Sequence, residues 1–255
     1  MPWTEDSGLF GDKSHNYRMR ITVIEHEAAA GLGFFAEWLA GTGAACEIVR
    51  PYLGETVPEH AADGLIVLGG EAAAWQDEDY PWLPATRELL RRAVADGVPT
   101  LGICLGAQLL TLACGGTVER GDLGLEIGAC RISPLPAADG DPLFDGLLDG
   151  AEPAVAVQYH GDAMTRLPAG AVPLATGEIY PNQAYRLGER AWAVQFHPEA
   201  TPEIFLDWTN GSADHLTAQG HPVEELNTRV KAAETRLTAT WKPLAERFAA
   251  VVANS

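Results

Sequence analysis

The chain has 255 residues, a formal net charge of -18 at pH 7, 47% hydrophobic and 20% charged residues, enough apolar material for one α/β domain or one domain with appendages. The acidic balance argues against nucleic acid as a partner, and no apolar run approaches the roughly 20 residues of a membrane span. The polar, acidic N-terminus lacks a signal-peptide core, so the expected setting is cytoplasmic, without a membrane contact.

Met1 to Tyr17 is polar and glycine-containing and reads as an arm over residues 1–18, with Met19 as an alternative start. Arg20 to Ile24 is the first expected strand, Gly31 to Leu39 the first helix, and Ala45 to Val49 the second strand. A third strand, 64–68, runs into Gly69-Gly70. Leu83 to Asp96 carries Leu83, Leu89, Leu90 and Val94 at helical spacing and is stopped by Asp96-Gly97. The apolar run Pro99 to Ile103 reads as a strand, and Ala107 to Ala113 as a helix. Short strands are expected around Val118, over Glu126–Ser133, Ala154–Gln158, Val172–Ala175 and Ala184–Leu187, then Ala191–Phe196. This strand–helix alternation predicts a three-layer sandwich around a mainly parallel sheet, with a small antiparallel layer.

The last fifty residues read as helices. Pro202 to Trp208 is expected to turn away from the preceding strand ends. Beyond Gly220-His221-Pro222, Val223, Leu226, Val230, Leu237, Trp241, Leu244 and Phe248 fall on one helical face, with Pro243 as an interruption. Such a face caps its own domain or forms an interface with a second copy or a partner.

The chemistry concentrates in Gly102-Ile103-Cys104-Leu105-Gly106-Ala107-Gln108. A cysteine at the tip of a strand–turn–helix elbow, bracketed by glycines, sits over free N–H groups and the positive end of a helix dipole, and both favour thiolate. Cys46, Cys114 and Cys130 lack disulfide or metal spacing and read as core. A base is offered by Gln195-Phe196-His197-Pro198-Glu199. Pro198 stiffens the turn after the last strand, so His197 and Glu199 can be aimed together, the ring to take the thiol proton and the carboxylate to fix its tautomer. Metal ligands and cofactor motifs, including a phosphate-binding loop, are not evident in the pattern.

With both blocks in this order, the chain resembles the class I (triad) glutamine amidotransferases, specifically the stand-alone, GMP-synthase-like type. Leu65 to Gly70, Tyr80-Pro81-Trp82-Leu83, Glu126-Ile127-Gly128 and Gln158 to Asp162 are similar to further segments of that family. The resemblance covers about Arg20 to Thr201 and implies a flavodoxin-like domain over 19–201, followed by a helical extension, 202–255. It also implies roles: Cys104 as nucleophile, His197 and Glu199 as its partners, and the Gly70 and Leu105 amides as an oxyanion hole. Gln108, Tyr159, Gly161 and Asp162 would contact the substrate, L-glutamine, with no cofactor. Ammonia would pass to a synthetase subunit, the C-terminal helices being one candidate interface for a partner or a homo-oligomer. A free-standing γ-glutamyl amide hydrolase and a non-catalytic protein on the same scaffold are the alternatives.

Overall fold

The computed structural model describes residues 19–150 and 152–255, so the expected arm lies outside the described residues. Nine strands form one sheet. Its first half is parallel: β1 (Met19–Ile24), β2 (Ala44–Val49), β3 (Gly64–Val67), β4 (Thr100–Ile103) and β11 (Ala191–Val194), in the spatial order β2-β1-β3-β4-β11. The antiparallel strands continue the same sheet as β10 (Ala184–Leu187), β9 (Val172–Gly177), β6 (Glu126–Pro134) and β7 (Val155–His160). A separate antiparallel pair, β5 (Thr117–Arg120) with β8 (Asp162–Arg166), stands beside it, and β8 is a strand that the sequence pattern did not reveal.

The central parallel strands are dominated by apolar residues because helices cover both faces. β3, β4 and β11 have every residue buried. On one face lie α2 (Leu83–Ala95) and α3 (Leu105–Ala113), packed with Leu65, Val67 and Ala193. The buried side of α2 is Leu83, Thr86, Leu89, Leu90 and Ala93, with the expected Val94 only partly buried. On the other face, α1 (Phe34–Gly41) packs with Ile21, Val23 and Ile66. It starts three residues later than Gly31, because Gly33 adopts φ 48° and turns the chain in before the first helical turn.

The C-terminal residues join this second layer as α4 (Pro202–Gly211), α5 (Ala213–Ala218), α6 (Val223–Ala232) and α7 (Glu234–Ala253). The chain breaks between helices at Ala233, and Pro243 leaves α7 continuous. Burial of Trp241 and Leu244 on either side of that proline outweighs the lost hydrogen bond and ring clash, together worth about 3 kcal/mol. The apolar face expected of this region is spent inside the molecule. Leu237, Trp241, Leu244, Phe248 and Val252 are buried in the same cluster as α1 and β1, and the Trp241 indole donates to the Val155 carbonyl of β7 at 2.9 Å. No helix among the described residues is long and apolar enough to cross a membrane.

Candidate active site

The carboxyl ends of the parallel strands converge on one cavity, the usual ligand position in such sheets. Glu27 follows β1, Gly70 and Glu71 follow β3, Cys104 follows β4 and His197 follows β11, and all of them line it. Cys104 sits at φ 49°, the only non-glycine residue at positive φ among the described residues. Its N–H donates to Val194 O at 2.8 Å, and its carbonyl accepts from Gln108 N at 3.0 Å. The strained backbone is thus tied to β11 on one side and to the first turn of α3 on the other.

The flanking glycines are required for close approach of backbones, where a Cβ would obstruct, and not for an unusual φ. Neither has a positive φ. A Cβ on Gly102 would lie 2.6 Å from Gly106 O, and one on Gly106 would collide with the Val67 carbonyl. They let the helix press against β3 and β4, while the cysteine itself takes the strain.

His197 is held from three directions. Its N–H donates to Val157 O at 2.8 Å, its Nδ1 lies 2.8 Å from Glu199 Oε1, and its ring packs at 4.7 Å from the Trp208 ring on α4. Glu199 is also anchored through its backbone: Phe34 N donates to its carbonyl at 2.8 Å, an approach that a side chain on Gly33 would block. Burial disfavours a charge on His197, but Glu199 and Cys104 beside it outweigh burial and raise the imidazole to about 10. The diglycine leaves room for this arrangement, since a Cβ on Gly69 would fall 2.7 Å from His197 Cε1 and 3.6 Å from Cys104 Cβ. Among the described residues the N–H groups of Gly70 and Leu105 make no hydrogen bond. Leu105 and Glu199 themselves lie behind the cavity wall.

The remaining expected residues gather on the far side of Cys104. Gln108, Tyr159, Gly161 and Asp162 all line the cavity. Gln108 Nε2 donates to Asp162 O and to Gln195 Oε1, both at 3.3 Å, and Gln195 Nε2 reaches Cys104 Sγ at 3.7 Å. Asp162 pairs with Arg120 at 2.9 Å. Burial raises its carboxyl, opposed by Arg120 and His160. Among the described residues there is no group of three or more His, Cys, Asp or Glu that could hold a metal ion.

Several site residues escaped the sequence reading. Gln195 opens the block that carries His197 and has no role of its own in the sequence reading, although a buried amide inside an apolar run is a signal. His160 Nδ1 faces Asp162 O at 2.8 Å and its Nε2 faces Glu126 Oε2 at 3.0 Å. That pair underpins the Asp162 carbonyl, and nothing in the separation of 126 from 160 announces it. The helix expected to turn away instead walls the cavity: Asp207 and Trp208 of α4 line it, and the Trp208 indole donates to Ala29 O at 2.8 Å.

Comparison with known proteins places the chain in a family. Residues 36–205 match the family model described as glutamine amidotransferase class-I. A GMP synthase [glutamine-hydrolyzing] of Nitratiruptor sp. is 34% identical over 170 residues, 65% of this chain, which spans only 31% of that protein's length. The glutamine amidotransferase-like protein YfeJ of Salmonella typhimurium is 30% identical over 208 residues, covering 79% of this chain and 85% of that protein. Among solved structures, a glutamine amidotransferase of Thermotoga maritima superposes with a TM-score of 0.78 at 25% identity, over 91% of this chain and 98% of its own. The chain belongs to the class I glutamine amidotransferase family.

Proposed function

We propose that the protein hydrolyses the side-chain amide of L-glutamine through a γ-glutamyl thioester on Cys104. The thiolate attacks the amide carbonyl, and the oxyanion falls to the Gly70 and Leu105 amides, each contributing about 3 kcal/mol to lowering the barrier. His197, as imidazolium, protonates the departing nitrogen, the C–N bond breaks and ammonia leaves. The ring then takes a proton from water as it attacks the thioester, and glutamate is released. Glu199 fixes the ring's orientation and stabilises its charge. Gln108 and the Tyr159–Asp162 turn, with Arg120 beside it, hold the amino acid end of the substrate.

The observation that carries this reading is the assembly of Cys104, at positive φ over the α3 N-terminus, with a buried His197 hydrogen-bonded to Glu199. The family resemblance supports a synthetase partner or domain as the ammonia acceptor. A second reading, hydrolysis of a larger γ-glutamyl amide, is favoured by the cavity, whose volume of about 430 Å³ leaves room beyond a single amino acid. Ammonia release from glutamine by purified protein is the test, beside Cys104→Ala. Release by wild type and none by the variant supports the assignment, and equal release by both removes Cys104 from it.

A further inference from the structure

A second cavity of about 260 Å³ adjoins the main one, and the two share Glu27, Glu71 and Ala72 as lining residues. The strand order fixes where this annex lies relative to the chemistry. Cys104 follows β4, and Gln108, Gln195 and Asp162 form a hydrogen-bonded group on its β11 side. Glu27 and Glu71 follow β1 and β3, on the opposite side. A γ-glutamyl substrate with its amino acid end at Arg120 and Asp162 therefore sends its leaving amine toward the annex.

The walls of the annex have a consistent chemistry. Tyr52, Tyr80 and Trp82 line it together with the two carboxylates. Each ring is tethered by its polar atom: Tyr52 to Glu25 at 2.9 Å, Tyr80 to Glu71 at 2.9 Å and Trp82 to His26 at 3.0 Å. With their donors committed, the rings are held in place, and Tyr80 and Trp82 meet edge to face with centroids 5.6 Å apart. Fixed aromatic surface beside carboxylates is a cation-binding combination. Burial and the neighbouring Glu71 push the Glu27 carboxyl above its usual range, a repulsion that a cation between them relieves.

His26 supplies an independent sign of an occupant. It lines the annex at 4% exposure, and its Nδ1 accepts from the Trp82 indole, so its proton sits on Nε2. That Nε2 has no hydrogen-bond partner among the described residues, and as a donor it calls for an acceptor, a carbonyl oxygen or a water carried in with the occupant, and not for a cation itself. Burial lowers the ring to about 4, which keeps it neutral and adds no repulsion to a bound cation.

We propose that the acyl donor is a γ-glutamyl amide of an amine with a second, positively charged end, held in the annex by Glu27, Glu71 and the Tyr52, Tyr80 and Trp82 rings. This rests on Cys104 as nucleophile: the Sγ–carbonyl bond forms, the C–N bond breaks, the amine leaves with the His197 proton, and water releases glutamate.

The test compares three substrates with the full chain: L-glutamine, γ-glutamyl pentyl amide and γ-glutamyl aminobutyl amide, the last two differing only in a terminal ammonium. Wild type is expected to favour the aminobutyl amide over the pentyl amide by about tenfold or more in kcat/KM, with the ratio falling toward one in Glu27→Gln/Glu71→Gln. A wild-type ratio of one or less, with glutamine still hydrolysed, overturns the annex and leaves Cys104 in place. A ratio that survives both substitutions overturns the role of the carboxylates. No turnover of any of the three overturns the nucleophile reading and this one with it. The wild-type ratio decides even where the double variant does not fold.

Discussion

Glu199→Gln separates charge from geometry at the centre of the site. The amide oxygen can accept from His197 Nδ1 as Glu199 Oε1 does at 2.8 Å, and Glu199 Oε2 has no partner to lose. What disappears is the negative charge that, with Cys104, raises His197 from 6.5 to about 10. A rise of that size corresponds to roughly 5 kcal/mol favouring imidazolium over the neutral ring. Since the imidazolium must protonate the departing nitrogen, the wild-type rate is expected to hold until pH approaches 10. In Glu199→Gln, burial acts with less opposition and the alkaline limb moves to lower pH. At neutral pH the rate should fall by about three to four orders of magnitude, as when a triad loses its orienting acid. Stability follows the same sign. A folded-state value above the unfolded one gives a contribution that is full below about pH 6.5 and is lost as pH rises through about 10. The assay is ammonia release and urea midpoint across pH 6 to 10.5. An alkaline limb that stays in place in Glu199→Gln, or a variant as pH-sensitive in stability as wild type over that window, refutes the reasoning.

Gly106→Ala should cost several kcal/mol and lower activity with stability, because its Cβ collides with backbone at Val67; an unchanged melting temperature would contradict the packing account. Trp241→Ala removes a fully buried ring that bonds Val155 and packs tilted against Phe196 at 4.6 Å, and should destabilise by about 3–5 kcal/mol in denaturant titration. Pro243→Ala restores a helical N–H inside α7 and should raise the urea midpoint, with a gain of about 1–3 kcal/mol after the unfolded chain's added freedom is subtracted.

The centre of the parallel half was legible in the sequence because β3, β4 and β11 are short apolar runs leading into the Gly69-Gly70, Cys104 and His197 segments. β4 and β11 were found within a residue or two, and the two motifs attached to them placed Cys104, His197 and Glu199 at one point. The antiparallel half was legible only as short strands. Its pairing depends on register across long separations, as in Glu126 opposite His160, which local patterns do not encode. The G-x-C-x-G bracket was legible as a tight elbow with no room for a Cβ, and the structure adds where the obstruction lies. Alternation of small and large residues tells where backbones approach, but not whether φ or packing demands it. At Gly102 and Gly106 the demand is packing, and the conformational strain resides in Cys104.

The C-terminal segment shows how far a helical face can be read. Periodicity identified the apolar stripe of α6 and α7 but carried no information on its destination. Nor did it show that Phe205 and Trp208, three residues apart on α4, would both face inward. Phe205 is buried, while Trp208 spans the distance from Ala29 to the His197 ring. Trp241, in turn, packs on Phe196, the residue immediately before His197, and bonds Val155 on the strand whose Val157 carbonyl receives the His197 N–H. The position of His197 is therefore set by three elements besides its own strand: α4 against its ring, β7 at its backbone, and α7 behind both. A histidine raised so far by Glu199 and Cys104 needs its ring held still against water, because each added degree of exposure weakens the fields that raise it. Helices that look like an appendage in sequence thus supply the rigidity and dryness on which the electrostatics of Cys104, His197 and Glu199 depend.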